Sequence, residues 1–197
     1  MASILRYRRG DCKPKLLPTA PSNAHPIEQG DLLYKHPTYG YACPAADMPA
    51  QGSAALGQDA FQQFFAGVAM SKVGLQSGET SFRIANNKTG VVNDPGYVEI
   101  ATAGIFEFDC ASTQWKPGDL VGVYADSTGK CSNQKVATAA SASLAIGQAA
   151  PGVAGTRQAT PGTAGGNAMT RVQVEIVSTL FSPMGVQNQV AGSGSGL

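Results

Sequence analysis

From Ile27 onward the apolar positions fall into short β-type runs separated by turn residues. The runs are "DLLYK", "FFAGVAMSKV", "TSFRIA", "GYVEIA", "GIFEFD", "DLVGVYA", "SLAIGQA" and "RVQVEIVSTLF". Alternation is clearest in "VQVEIV": Val172, Val174 and Ile176 share one face, Gln173 and Glu175 the other. One segment departs from this pattern. In "AALGQDAFQQFF", Leu56, Ala60, Phe61, Phe64 and Phe65 share a helical face, which predicts one short helix leading into a strand.

The pattern also repeats. "QGDLLY" at 29–34 returns as "PGDLVGVY" at 117–124, "FAGVAM" at 65–70 as "LAIGQA" at 144–149, and "YVEIAT" at 97–102 as "VQVEIVS" at 172–178. Each pair is weak alone, because glycine-bearing strands are common. Three pairs in the same order predict two related halves closing one small β-barrel. In each half a Gly-Asp turn feeds an apolar strand, and a glycine-bearing strand follows where close packing or a bend is needed. The expected fold class is therefore all-β, a small barrel or β-tulip-like core with at most one short helix.

Around this core the texture changes. Residues 1–26 hold Pro14, Pro18, Pro21 and Pro26 and no apolar period, which reads as an extended N-terminal arm. Residues 27–180 make the barrel domain, and 181–197, ending "VAGSGSGL", a flexible tail. Within the domain, 149–170 is a low-complexity Gly/Ala/Thr/Pro loop, longer than compact domains ordinarily carry.

Composition sharpens the picture only at the surface. Charged residues are 14% of the chain against about 25% in ordinary soluble domains. That fits either a chain living inside an assembly or a β-protein whose surface is rich in Ser, Thr, Asn and Gln. The net charge of +1 gives no global field toward nucleic acid or membrane. The arm alone is basic, with Arg6, Arg8, Arg9, Lys13 and Lys15 against Asp11. No apolar run has the length of a membrane span, and no signal-peptide core opens the sequence, as expected of a chain made in the cytoplasm.

Catalytic and cofactor motifs fail on spacing. "YADSTGKC" ends in Gly129-Lys130, but a phosphate loop needs a glycine where Tyr124 stands and a hydroxyl where Cys131 stands. A strand and a tight turn explain the stretch better. Cys12, Cys43, Cys110 and Cys131 form no C-x-x-C pair, and neither His25 nor His36 sits at zinc-ligand spacing from a cysteine. Asp31 and Asp119, at equivalent repeat positions, form a candidate carboxylate pair, but aspartate in a turn ordinarily bonds its own backbone. No nucleophile-and-base arrangement emerges, so the expectation is a protein that is not an enzyme, with no cofactor and no metal.

The succession "GDLLY…GYACPA…FFAGVAM…GYVEIATAGIFEFD…WKPGDLVGVYADSTGKC…LAIGQA…RVQVEIV" resembles the capsid decoration, or cement, proteins of tailed bacteriophages across residues 27–180. The resemblance implies a homotrimer on the outer capsid surface of the virion, seated where subunits of the major capsid protein meet. It implies no catalysis and no cofactor, with an N-terminal arm stapling neighbouring subunits. The long basic arm and the 149–170 loop depart from the compact pattern of that family.

On this reading Arg6, Arg8 and Arg9 pair with capsid carboxylates while Ile4, Leu5 and Tyr7 supply apolar anchors. The plainer alternative is a solvated tail. Direct nucleic-acid binding has little to stand on without a second basic patch. Phe61, Phe64, Phe65 and Trp115 are candidate inter-subunit contacts, although core packing is the commoner fate of such residues. The alternative function is a virion surface adhesion module, such as a short head fibre that binds host or glycan through the 149–170 loop. That loop has no aromatic residue on which a sugar would stack.

Overall fold

Two rings of β-strand, built to one plan, make up the computed structural model, which describes residues 7–9, 13–19, 26–73, 96–150 and 169–181. The chain is all-β apart from one α-helix and two 3-10 turns, Ala45–Asp47 and Ala142–Leu144. The strands are β1 (Tyr7–Arg9), β2 (Pro14–Pro18), β3 (Leu32–Lys35), β4 (Ala42–Pro44), β5 (Phe65–Ala69) and β6 (Tyr97–Ala101), then β7 (Ala103–Thr113), β8 (Leu120–Ala125), β9 (Cys131–Thr138), β10 (Gly147–Ala149) and β11 (Met169–Val177). Helix α1 (Ala54–Gln63) lies between β4 and β5.

The expected duplication is present, but its halves do not close one barrel. Each closes its own ring. The first sheet runs β2-β6-β5-β3-β4 and the second β7-β11-β10-β8-β9, the same order with every strand advanced by five. A parallel pairing of β7 with β9, at Asp109–Lys135 and Cys110–Val136, closes the second ring. The matching place in the first holds a single parallel bridge from Thr19 to Ala42.

Hydrogen bonds fix the correspondence. Gly30 donates to Ala69 O at 2.8 Å as Gly118 does to Ala149 O at 2.8 Å, and Ala69 and Ala149 donate back to Asp31 O and Asp119 O. Met70 donates to Glu99 O as Ala150 does to Gln173 O. Val98 therefore matches Val172, two residues away from the alignment that the shared Val-Glu-Ile strings suggest. A slip of two keeps each side chain on its face, so the pattern alone does not register it.

In this register Leu17, Ile27 and Ala42 of the first ring take the places of Phe108, Trp115 and Val136 in the second. All six are buried. The first interior is packed by small and aliphatic residues, among them Leu33, Ala66, Val98 and Ile100. The second is filled by aromatics, and its cluster extends through Phe61 and Phe65 to the outer wall of the first ring. Trp115 satisfies its indole N–H on Cys110 Sγ at 3.4 Å. The twin glycines Gly67 and Gly147 let neighbouring strands approach: a Cβ at either would stand 2.2 Å from Ala101 O or Glu175 O.

Two elements escaped the sequence pattern. Four residues of β9, 132–135, lie between the pairs Ala125–Cys131 and Val123–Val136, opposite one residue of β8. This bulge interrupts the period of two, and it reaches the first ring: Asn133 Oδ1 accepts Ala46 N–H at 2.6 Å and Gln134 Nε2 donates to Asp31 Oδ1 at 2.7 Å. The second is the arm itself. Part of the expected 1–26 arm belongs to the body, since β2 pairs with β6 along its length and β1 pairs with β7 at Ile105 and Phe106. Thr19 N–H points to Gly96 O across that ladder, so the backbone groups of residues 14, 16 and 18 face the opposite, outer edge. Two of those three are prolines with no N–H to offer.

Helix α1 starts at Ser53, whose side chain accepts from Leu56 N–H. It buries Gly57, Gln58 and Phe61 and packs Ala60 and the following Phe64 and Phe65 against the core, so of the expected face only Leu56, 56% exposed, falls outside. The reason is close approach, as a Cβ on Gly57 would lie 2.6 Å from Gly129 O. Beside it Gln58 Nε2 donates to Val123 O at 3.0 Å and Thr138 O at 3.3 Å, serving carbonyls of both β8 and β9. The "TSFRIA" run, residues 151–168 of the expected loop and residues 182–197 of the tail lie outside the described residues.

Candidate functional site

Asp31 and Asp119 are not a catalytic pair. Asp31 Oδ2 accepts Glu28 N–H at 2.8 Å and Asp119 Oδ2 accepts Lys116 N–H at 2.7 Å. Each carboxylate closes the turn in which it sits, and Gly30 and Gly118 adopt φ of 94° and 88° to complete it. The duplicated motif is a duplicated turn.

The Gly129–Lys130 stretch is likewise scaffold. Asp126 Oδ1 accepts from Thr128 N at 2.8 Å, Thr128 Oγ1 at 2.6 Å and Lys130 N at 3.0 Å. These bonds, the Thr128 side chain first among them, hold its carboxyl below the ordinary carboxylate range. The turn then docks on the entry to α1, where Gly52 N–H meets Thr128 O at 2.7 Å. Its amides serve the fold rather than a phosphate.

Of the candidate inter-subunit contacts, Phe61, Phe65 and Trp115 are enclosed by the chain's own core and have no surface to offer a partner. Phe61 packs against Phe65 at 5.7 Å and against the Tyr34 ring edge-on at 6.3 Å. Phe64 is half-buried against the same cluster. Of the N-terminal candidates, Ile4, Leu5 and Arg6 lie outside the described residues, and Tyr7, Arg8 and Arg9 are described only as the backbone of β1.

Between the rings lies an open groove of about 640 Å³, bounded by Glu28, Asp31 and Ala46 on one side and Tyr124, Asp126 and the β9 bulge on the other. Its polar groups hold one another. Gln134 is bonded to Asp31, Lys130 Nζ donates to Met48 O at 3.1 Å, and Glu28 pairs with Lys72 at 2.8 Å. Lys135 Nζ sits 4.3 Å over the Tyr124 ring. The thiol in its wall, Cys131, is pushed up to about 11 by burial and is therefore protonated at neutral pH, not a nucleophile. Among the described residues no group of three or more His, Cys, Asp or Glu is placed to hold a metal ion. The groove is a seam that locks one ring to the other.

What remains is surface. On the outer wall of the first ring, Leu16 (69% exposed) and Tyr97 (65%) are diagonal neighbours across β2 and β6, where Leu16 faces Glu99 and Pro18 faces Tyr97. At the β3–β4 hairpin, Tyr39 is 69% exposed, 4.9 Å from the His36 ring and 6.2 Å from that of Tyr41. The sequence reading passed over this tip. Its signal was the aromatic spacing of "YKHPTYGY" around a Pro/Gly turn.

No helix among the described residues is long and apolar enough to cross a membrane. The chain matches no protein-family model, no curated protein and no solved structure.

Proposed function

We propose that this chain is a structural protein of a bacteriophage head, binding the outer capsid surface across junctions of the major capsid protein and stabilising the shell, with several copies assembled as trimers. The ordered resemblance over residues 27–180 motivates the reading. The observation that carries it is the way the N-terminal segment enters the fold. β1 lies on the second ring and β2 is a stave of the first, so whatever residues 1–6 hold is tied to both rings at once. The apolar pair Leu16 and Tyr97 on the wall formed by that same segment adds contact area. On a chain with 14% charged residues, little electrostatic repulsion opposes such packing.

The test is co-sedimentation of the purified protein with genome-filled heads that lack it, followed by heating. Bound protein should raise the temperature at which the heads release DNA. Deleting residues 1–6 should weaken attachment at least about tenfold, the loss of a few anchor side chains, while leaving the melting temperature of the free protein unchanged. Deleting residues 1–26 is expected to unfold the first ring instead, since it removes β2 and buried Leu17. Wild-type protein that stays in the supernatant at every head concentration overturns the proposal.

A further inference from the structure

The two rings offer a comparison within one molecule. In the second, the tip joining β8 to β9 is spent on the fold: Thr128 O accepts from Gly52, and a Cβ at Gly129 would meet Ser53 O at 2.6 Å. In the first, the equivalent tip joining β3 to β4 makes no comparable contact among the described residues. There a Cβ at Gly40 would meet only Lys35 Cε, at 3.5 Å, and residues 37–39 are all exposed. The position that is docked in one half is vacant in the other, and there it bears three aromatic rings.

That tip is also rigid. His36 N–H donates to Tyr41 O at 2.7 Å and Gly40 N–H to His36 O at 2.9 Å. His36 Nδ1 accepts the amides of Thr38 at 3.2 Å and Tyr39 at 3.4 Å, and Gly40 takes a φ of 73° that other residues rarely adopt. The Tyr39 ring is tilted by 33° to that of His36 and stacks at 24° on that of Tyr41, so the three rings form one cluster. A pre-ordered aromatic projection loses little conformational freedom on binding, which is the usual makeup of an interface hot spot.

We infer that the β3–β4 tip, through Tyr39 and Tyr41, is the main protein-contact element of the chain, and that its partner is a capsid-lattice surface presenting aliphatic or proline side chains beside a carboxylate. This rests on the head-binding reading and names the contact for it. Protein is favoured over sugar by the tip's own chemistry. Residues 35–41, Lys-His-Pro-Thr-Tyr-Gly-Tyr, contain no Asp, Glu, Asn or Gln to bind sugar hydroxyls. Lys35 and the absence of acids call for a partner with negative charge.

The experiment measures binding of wild type, Tyr39→Ser, Tyr41→Ser, Tyr39→Phe and, as a surface control, Leu56→Ser to genome-filled heads, with melting temperatures for each. The expected result is a loss of about tenfold or more for both serine variants, near-wild-type binding for Tyr39→Phe and Leu56→Ser, and unchanged melting temperatures. Heads that bind wild type and both serine variants equally overturn this inference and leave the head-binding reading standing. Wild type that fails to bind heads overturns both. Serine variants that keep head binding but lose adhesion to host cells or glycans would show a sugar site and overturn the protein assignment.

Discussion

Gly147→Ala isolates one cause of the ring geometry. The added Cβ would lie 3.0 Å from Glu175 C and 2.2 Å from Glu175 O, the latter more than 1 Å short of an ordinary contact, which begins at 3.4 Å. Both atoms are backbone, so no side chain can swing aside. β10 has three residues, held to β11 by three pairs and to β8 by two, and must itself be displaced. Two weakened ladder bonds at about 1 kcal/mol each, with about 1–3 kcal/mol for overpacking, give roughly 3–5 kcal/mol. For a chain of this size that corresponds to a fall of about 6–20 °C in melting temperature. Gly118→Ala is the comparison: φ there is 88° but nothing lies within 4 Å, so only left-handed strain of about 1–2 kcal/mol applies. Urea titration of both variants, followed by far-UV circular dichroism, measures the difference. If Gly147→Ala loses less than about 1 kcal/mol, or no more than Gly118→Ala, close approach of β10 to β11 is not what requires glycine.

Three further outcomes follow. Asp31→Ala should destabilise more than Asp119→Ala by about 1–2 kcal/mol, because Asp31 also holds Gln134 of the other ring; a double-mutant cycle with Gln134→Ala should recover that excess as coupling, and additive losses would refute it. The buried thiols Cys43 and Cys131 are both pushed up from 9.0 to about 11, burial being the largest cause. Since their folded values are raised, the stability they contribute is full below about pH 9 and is lost as pH climbs toward 11, on the order of 2 kcal/mol per thiol. Denaturation midpoints measured across pH 8–11 should fall, and the fall should shrink in Cys43→Ala/Cys131→Ala; a flat profile would contradict the burial seen here. At neutral pH a thiol reagent should find Cys43, Cys110 and Cys131 silent until the protein is unfolded, so three fast-reacting thiols in native protein would be equally damaging.

Where short apolar runs are bounded by turn residues, the sequence was readable. β3, β5, β6, β8 and β11 lie inside the expected runs to within a few residues, and α1 begins where expected. The duplicated order was legible because both copies of the Gly-Asp turn survive intact. Its consequence was not. Whether two halves share one barrel or close two depends on which end strands meet, and Thr19–Ala42 and Cys110–Val136 carry no mark in composition. β9 was invisible because four bulged residues face polar surroundings and hide its period. β2 was read as arm because "PKLLP" has two prolines, which a strand tolerates when they sit on the unpaired side. Gln173 was expected outside and is buried. As to sites, spacing alone disposed of the false phosphate loop and the false carboxylate pair. It could not rank the phenylalanines against Tyr39, because exposure is a property of the folded wall and not of the residue type.

The prolines on the outer edge of β2 bear on how many copies behave together. That edge meets β4 only at the Thr19–Ala42 bridge, and of its three outward residues Leu16 alone retains an N–H to donate. A second molecule that approached this edge would find two of the three donors missing. Filament growth by edge-to-edge addition is discouraged at the very strand where the chain's entry segment would otherwise invite it. Copies held at high local density are therefore not joined through this edge.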